Sequence, residues 1–256
     1  MTIRDIGPLV VAFSGGVDSA LLTVAALNEL GPNGVLAVTA DSASLGSGEL
    51  DHCQDLASEW GVPWTPITTD ELADDRYVTN GTDRCYWCKT ALMDQLEPLA
   101  RERAATIALG VNVDDLGDHR PGQTAAAERG ARFPLVEAGL TKDSIRAMAN
   151  RFGLSVWDRP AMPCLSSRLP YGTEVTVPVL SRVDRAEAAL RRFGFSDLRV
   201  RHYDDTARIE LPPAELARAA ALADRIVAAL STVGYRYVTL DLAGLDSGNL
   251  NHLPRS

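Results

Sequence analysis

The stretch LVVAFSGGVDSALL, residues 9–22, decides the fold. Residues 9–13 are apolar without alternation, the pattern of a strand buried on both faces in a parallel sheet. From Val17 to Leu30 the apolar residues recur with helical spacing, and Gly31-Pro32 stops the run. Between strand and helix stands Ser14-Gly15-Gly16-Val17-Asp18-Ser19. Two glycines permit a tight turn and close approach of a ligand to the backbone. The amides at the helix N-terminus, with the helix dipole behind them, favour an anion, and Ser14 and Ser19 add hydroxyl donors. The segment has neither the lysine of a GxxxxGK[ST] loop nor a GxGxxG pattern. A Gly-rich turn with a Ser or Asp helix cap is the plainer reading of the same residues.

Outward from this stretch, strands and helices alternate. Strands are expected at 34–40, 64–68 and 106–110, and helices at 48–60, 85–103 and 142–152. A polar loop reaches to Thr82, and 111–133 reads as a long Gly- and Asp-rich loop with a short helix at 122–129. This order predicts an α/β fold with a doubly wound, mostly parallel sheet. Ligands of such sheets bind beyond the carboxyl ends of the strands. Ser14, Gly15, Gly16, Asp18, Ser19, Ala40 and Ser42 are therefore the candidate nucleotide-binding residues. After the Pro-rich segment 158–172 the chain changes character, with helix 178–193, strands 197–203 and 206–211, helix 213–233 and strand 235–242. Two domains are expected: 1–167, and a small α+β domain over 168–256. In the latter, Leu198, Val200, Ala207, Ile209, Leu211, Val238 and Leu240 alternate with Arg199, Arg201, Arg208, Glu210, Tyr237, Thr239 and Asp241. One sheet face is thus apolar, and the other is expected to be a polar surface open to a partner.

Composition bounds the function. With 256 residues, 46% hydrophobic and 23% charged, the chain is an ordinary globular protein rather than a disordered one. No apolar run approaches the roughly 20 residues of a membrane span. The formal charge is −9, but unevenly spread: residues 1–158 carry 12 basic and 23 acidic residues, whereas 159–256 carry 13 basic, all Arg, and 11 acidic. Arginine suits bidentate capture of carboxylate or phosphate, and GC-rich coding is the bland alternative. An acidic chain without a basic run is a poor nucleic-acid binder. The opening MTIRDIGPLV lacks the features of a signal peptide. With only Cys53, Cys85, Cys88 and Cys164, reduced thiols and a cytoplasmic location are expected.

Cys85 and Cys88 stand at i and i+3 at the start of a helix, where they share a face and the helix N-terminus favours thiolate. Alone, the pair is compatible with half a zinc site, a redox couple or simple packing. Zinc wants a fourth ligand, for which His119 is the candidate. Cys164 follows Pro163 in the linker, and three thiolates brought together suit a 4Fe–4S cluster with one open iron. Cys53 lies on the apolar face of its helix and reads as core.

The SGGVDS hexapeptide resembles the PP-loop of ATP pyrophosphatases. Over almost the whole chain the resemblance narrows to the LarE family of ATP-dependent sulfur transferases, which serve nickel-pincer nucleotide cofactor synthesis. The matching segments are VAFSGGVDSALL (11–22), DRCYWCK (83–89), LGVNVDDLGDHRPG (109–122), PCLSSRLPYGT (163–173), LRVRHYDDTARIELP (198–212) and TVGYRYVTLDLAG (232–244). The resemblance implies ATP and Mg²⁺ as cofactors. It implies a pyridinium mononucleotide with two carboxylates as substrate, and adenylation followed by conversion to thiocarboxylates. Members with three cysteines hold a 4Fe–4S cluster, which here implies Cys85, Cys88 and Cys164 as its ligands. Members with a lone cysteine at the position of Cys164 sacrifice its sulfur. An ammonia-using amide synthetase and a nucleotide-binding sensor or assembly subunit without chemistry are competing readings. The candidate catalytic residues are Cys164, Asp18 and Lys89. Arg168, Arg199, Arg201 and Arg208 are expected to bind the anionic substrate, with Glu210 and Asp241 holding them or a cation. Asp114 and Asp115 join Asp18 as Mg²⁺ candidates. A homo-oligomer is also expected.

Overall fold

Val10 and Val11 stand on opposite faces of strand β1 (Leu9–Ala12), and both are fully buried. The computed structural model, which describes residues 2–117, 120–160 and 162–245, supplies a cover for each. After α1 (Ile3–Ile6) and β1 come α2 (Val17–Leu30), β2 (Val35–Asp41), α3 (Glu49–Trp60), β3 (Trp64–Thr68), α4 (Asp75–Val78) and α5 (Arg84–Glu102). They are followed by β4 (Thr106–Leu109), α6 (Pro121–Glu128), α7 (Pro134–Glu137) and α8 (Lys142–Arg151). The four strands are parallel in the order β3-β2-β1-β4, with Val11 opposite both Ala37 and Ala108. Leu21 and Leu22 of α2, Cys53 of α3 and Ile145 of α8 share one core cluster with Val11. Met93 and Leu96 of α5 and Ala126 of α6 share the other with Val10. Each buried aliphatic side chain contributes about 1.5–3 kcal/mol relative to exposure, so both layers are needed to hold so apolar a strand. From β1 the chain steps to β2 and β3 on one side and then crosses to β4 on the other. The order reverses at β1/β4, and the loops after those two strands border the crevice where such sheets take ligands.

The polar loop expected before Thr82 holds more structure than its composition suggests. A 3₁₀ turn spans Glu71–Ala73. The buried Glu71 accepts hydrogen bonds from Ser44 Oγ at 2.8 Å and Thr69 Oγ1 at 3.0 Å. Asp74 caps α4 by accepting from the Arg76 amide at 2.9 Å.

The chain divides into two compact units between Met162 and Pro163, upstream of the 167/168 boundary expected from the Pro-rich segment. Cys164 therefore belongs to the second unit. That unit contains α9 (Val177–Arg191), β5 (Arg199–Tyr203), β6 (Thr206–Glu210), α10 (Leu216–Ala221), α11 (Ala223–Val233) and β7 (Tyr237–Leu240). β5 and β6 are antiparallel, while β6 and β7 are parallel, so α10 and α11 form the crossover that a parallel pair requires. The single helix expected over 213–233 is interrupted at Leu222, which ends α10 and begins α11. Val200, Ala207 and Ile209 pack with Leu190, Ile226 and Leu230.

The opposite face corrects the expectation of an open polar surface. Arg199, Arg201 and Glu210 are buried. The turn at 165–168 is the reason: it lies against β5, and Arg201 Nη1 donates to the Ser167 carbonyl at 2.7 Å. Tyr237 on β7 is exposed. Among the described residues no helix is long and apolar enough to cross a membrane.

Candidate active site

The loop after β1 is closed by Ser19, whose Oγ accepts from the Ser14 amide at 3.2 Å and donates to the Gly16 carbonyl at 3.0 Å. Gly15 has φ +69°, and a Cβ there would stand 3.0 Å from both Cys53 Sγ and His52 Cδ2 of α3. The loop thus requires glycine both for its backbone and for the wall behind it. At the end of β4, a Cβ on Gly110 would lie 2.6 Å from the Ser19 nitrogen. Strand β4 consequently reaches the first turn of α2, whose leading amides have no intrahelical acceptor. These amides and the helix dipole favour negative charge at the crevice.

Asp18 sits in that first turn. Asn112 Nδ2 donates to its Oδ1 at 3.1 Å, and Lys142 Nζ forms an ion pair with its Oδ2. The side chains of Asp18 and Lys142 are 18% and 34% exposed, so the pair is reachable from solvent. Asp114 accepts from the Lys142 backbone amide at 2.7 Å and helps start α8. Asp115 accepts from the Asn112 amide at 3.2 Å and pairs with Arg120 at 2.9 Å. Both acidic residues thus shape the loop around Asn112. Ala40 is half-buried one residue before the end of β2, and Ser42 Oγ lies 3.0 Å from Ser44 Oγ. Arg159 donates to the Gly15 carbonyl at 3.3 Å and to Glu49 at 2.8 Å. Sequence reasoning missed Lys142 and Arg159. For Lys142 a signal existed: among 25 basic residues, only Lys89 and Lys142 are lysines.

Cys85 is exposed and Cys88 half-buried, one turn apart at the start of α5. The buried Arg84 donates from Nη2 toward Cys85 Sγ at 3.9 Å, with its Nη1 held by Asn80 Oδ1 at 2.6 Å. Lys89 is half-buried on the same helix. Trp87 donates to Asp83 at 2.9 Å and carries the Arg76 guanidinium 3.6 Å above its ring. Cys53 is 1% exposed, and burial pushes its thiol up to about 11. Among the described residues of either unit, no three His, Cys, Asp or Glu side chains form a group able to hold a metal ion. His119 lies outside the described residues.

In the second unit Cys164 is half-buried and precedes the 3₁₀ turn Leu165–Arg168. Arg168 forms a bidentate pair with Glu187, from Nε at 2.8 Å and Nη2 at 3.2 Å. Its Nη1 reaches the Pro163 carbonyl at 2.6 Å and the Cys164 carbonyl at 3.3 Å. Arg201 and Arg208 share Glu210, at 2.9 and 2.8 Å. Arg208 Nε also lies 3.4 Å from Asp241 Oδ2, an ion pair without hydrogen-bond alignment. Burial, reinforced by the charges of Arg201 and Arg168, pulls the Arg199 guanidinium below its ordinary range. Three buried arginines, Arg168, Arg199 and Arg201, outnumber the buried glutamates Glu187 and Glu210 among the described residues of this unit. Glu187 is a further residue that sequence reasoning missed, because it is masked by a helix rich in charged side chains.

No family model matches the chain. It is 46% identical to an uncharacterized protein of Synechocystis sp., over 95% of this chain and 91% of the relative. It is 40% identical to the pyridinium-3,5-bisthiocarboxylic acid mononucleotide synthase of Lactiplantibacillus plantarum, over 97% of this chain and 91% of that enzyme. A tRNA-specific 2-thiouridylase of Rickettsia africae is 28% identical over 59% of this chain and 52% of its own length.

Proposed function

The chain belongs to the LarE family of PP-loop proteins, and on that premise we propose that it is an ATP-dependent sulfur transferase. Its substrate is a pyridinium dicarboxylate mononucleotide, which it converts to the thiocarboxylate during nickel-pincer nucleotide cofactor synthesis. A carboxylate oxygen attacks the α-phosphorus of ATP and pyrophosphate leaves. Sulfur then attacks the acyl carbon and AMP leaves. The observation that carries this reading is the loop after β1, with Asp18 set between Asn112 and Lys142 at the crevice. The amides of the loop, with Ser14 and Ser19, bind the pyrophosphate end. Asp18 offers a solvent-reachable carboxylate, the hard oxygen donor that Mg²⁺ prefers, and Mg²⁺ held there supplies charge neutralisation for the leaving pyrophosphate. Lys142 supplies a second positive charge at the same place. The buried arginine excess of the second unit suits a substrate bearing phosphate and carboxylates, with Arg199 and Arg208 as the residues that receive it.

For sulfur delivery we assign Cys164, with Cys85 and Cys88. Two thiols one helical turn apart, one of them beside a guanidinium, are soft donors of the type that binds iron–sulfur clusters. Cys85, Cys88 and Cys164 would hold a 4Fe–4S cluster, and the bound cluster would supply transferable sulfide. Lys89, beside Cys88, adds positive charge near the thiolates. The exposed Tyr237 and Leu242 support association with a second copy of the chain.

The test is turnover of anaerobically reconstituted protein with ATP, Mg²⁺ and the pyridinium dicarboxylate mononucleotide. AMP, pyrophosphate and a thiocarboxylate are expected together. An amide formed from added ammonia, with a triple Cys→Ser variant still active, would replace this reading by a synthetase. About four irons per chain, lost when Cys85 or Cys88 is replaced, support the cluster. An iron-free active protein whose intact mass falls by H₂S from Cys164 would instead make the cysteine its own sulfur donor.

A further inference from the structure

We propose that Arg168 and Arg201 are positioning residues that hold the Cys164 thiol by fastening the backbone on both sides of it. This inference rests on the reading of Cys164 as the residue that delivers sulfur. Both arginines also look like substrate ligands when read from sequence, and their surroundings argue otherwise for Arg168 in particular. It is 2% exposed, and each of its three nitrogens has an acceptor within the chain. Its Nη1 takes the Pro163 and Cys164 carbonyls. Arg201 Nη1 takes the Ser167 carbonyl at 2.7 Å. Ser167 completes the arrangement, with its amide at 3.0 Å and its hydroxyl at 2.7 Å from the Cys164 carbonyl.

Each guanidinium is anchored from behind by a buried carboxylate, Arg168 by Glu187 and Arg201 by Glu210. Glu187 is itself located by the Val200 amide at 3.1 Å and by Arg191 at 3.1 Å. Buried ion pairs are a weak source of stability, because the loss of hydration offsets much of their attraction. Charge-assisted bonds to carbonyls do fix geometry. Cys164 has an unstrained backbone, φ −56° and ψ 152°, so strain does not hold the loop in place; the two arginines do. A thiol that must meet a short-lived acyl-adenylate needs such placement, since small misplacements of a reacting atom cost large factors in rate.

Two variants of the full chain, Arg168→Lys and Ser167→Ala, test this through steady-state turnover and site-resolved alkylation of Cys164. Arg168→Lys is expected to lower kcat by about tenfold to a hundredfold, with KM for ATP unchanged. It should also speed alkylation of Cys164 as the loop loosens. Ser167→Ala removes the hydroxyl bond to the Cys164 carbonyl and the acceptor that the hydroxyl offers to Arg168 Nη1 at 3.0 Å, and it is expected to act in the same direction, more weakly. If Arg168→Lys does not fold, Ser167→Ala alone decides. Alkylation rates that match the wild-type chain in the folded variants overturn the proposal. Cys164→Ala separates the two levels: normal thiolation by that variant would refute the sulfur-delivery reading, while the alkylation rates would still judge the positioning.

Discussion

Lys142 reaches Asp18 across 124 positions of sequence, from the first turn of α8 to the first turn of α2. The ion pair places the chain's second lysine at the mouth of a phosphate loop that has none of its own. Lys142→Met is expected to lower ATP-dependent pyrophosphate release by about a hundredfold, the scale seen when one electrostatic group is removed from a transition state. Lys142→Arg should recover part of it. A pyrophosphate-release assay at saturating Mg²⁺ checks both, and wild-type rates in Lys142→Met would remove the residue from the site.

Gly110 and Gly15 are expected to respond differently to alanine. At Gly110 the new Cβ meets backbone, the Ser19 nitrogen at 2.6 Å, and neither β4 nor α2 can yield cheaply. Gly110→Ala should cost about 1–3 kcal/mol and weaken nucleotide binding, as thermal unfolding and ATP titration would show. At Gly15 the contacts are the Cys53 and His52 side chains, each at 3.0 Å, so a Cys53→Ala background should relieve the share of the clash that Cys53 makes and leave that of His52. The positive φ leaves a residual cost of about 1 kcal/mol.

The first unit was largely legible. An apolar run of five, a glycine pair and a regular alternation of periods specify a parallel strand, a loop and the layers around them, since each is a local pattern. The placement of Lys142 and Arg159 was not, because each acts on a partner far away in sequence, and Glu187 is masked by the other charged side chains of its helix. The Arg face of β5 and β6 was misread for a related reason. Alternation tells which residues share a face, but not what lies on it. Here the cover is the turn at 165–168, a Pro-flanked segment with no periodicity.

Cys53 should be inert. Burial raises its thiol to about 11, so at neutral pH it stays protonated and shielded. Iodoacetamide is expected to label the exposed Cys85 rapidly and Cys53 only on unfolding. Cys53→Ala should leave sulfur transfer intact and cost about 1 kcal/mol of stability. Peptide mapping after timed alkylation reads the first claim, and thermal unfolding the second.

The second unit should be acid-sensitive through Glu210. Burial disfavours its charged form, but the hydrogen bonds and charges of Arg201 and Arg208 outweigh that and hold its carboxyl below the usual glutamate range. A lowered folded value means that its stabilisation is fully present above the unfolded range, about pH 4, and is lost as pH falls through the folded value. Calorimetry from about pH 6 to about pH 3 should show a falling midpoint. Glu210→Gln should flatten that limb, and it should lower stability by about 3–5 kcal/mol at neutral pH, chiefly by leaving the buried Arg201 guanidinium without the Glu210 carboxylate, whereas Arg208 keeps Asp241.

The bond from Arg201 to the Ser167 carbonyl spans 34 residues, and it sets an order of events during synthesis. The peptide bearing Cys164 leaves the ribosome well before β5 and β6 exist to secure it. Until those strands and α9 have come together, the nascent chain carries the sulfhydryl without its geometry. Its reactivity is therefore tied to completion of a non-local fold, which is slow relative to local helix formation, and a chain arrested before β6 would display the cysteine as an ordinary, undirected thiol.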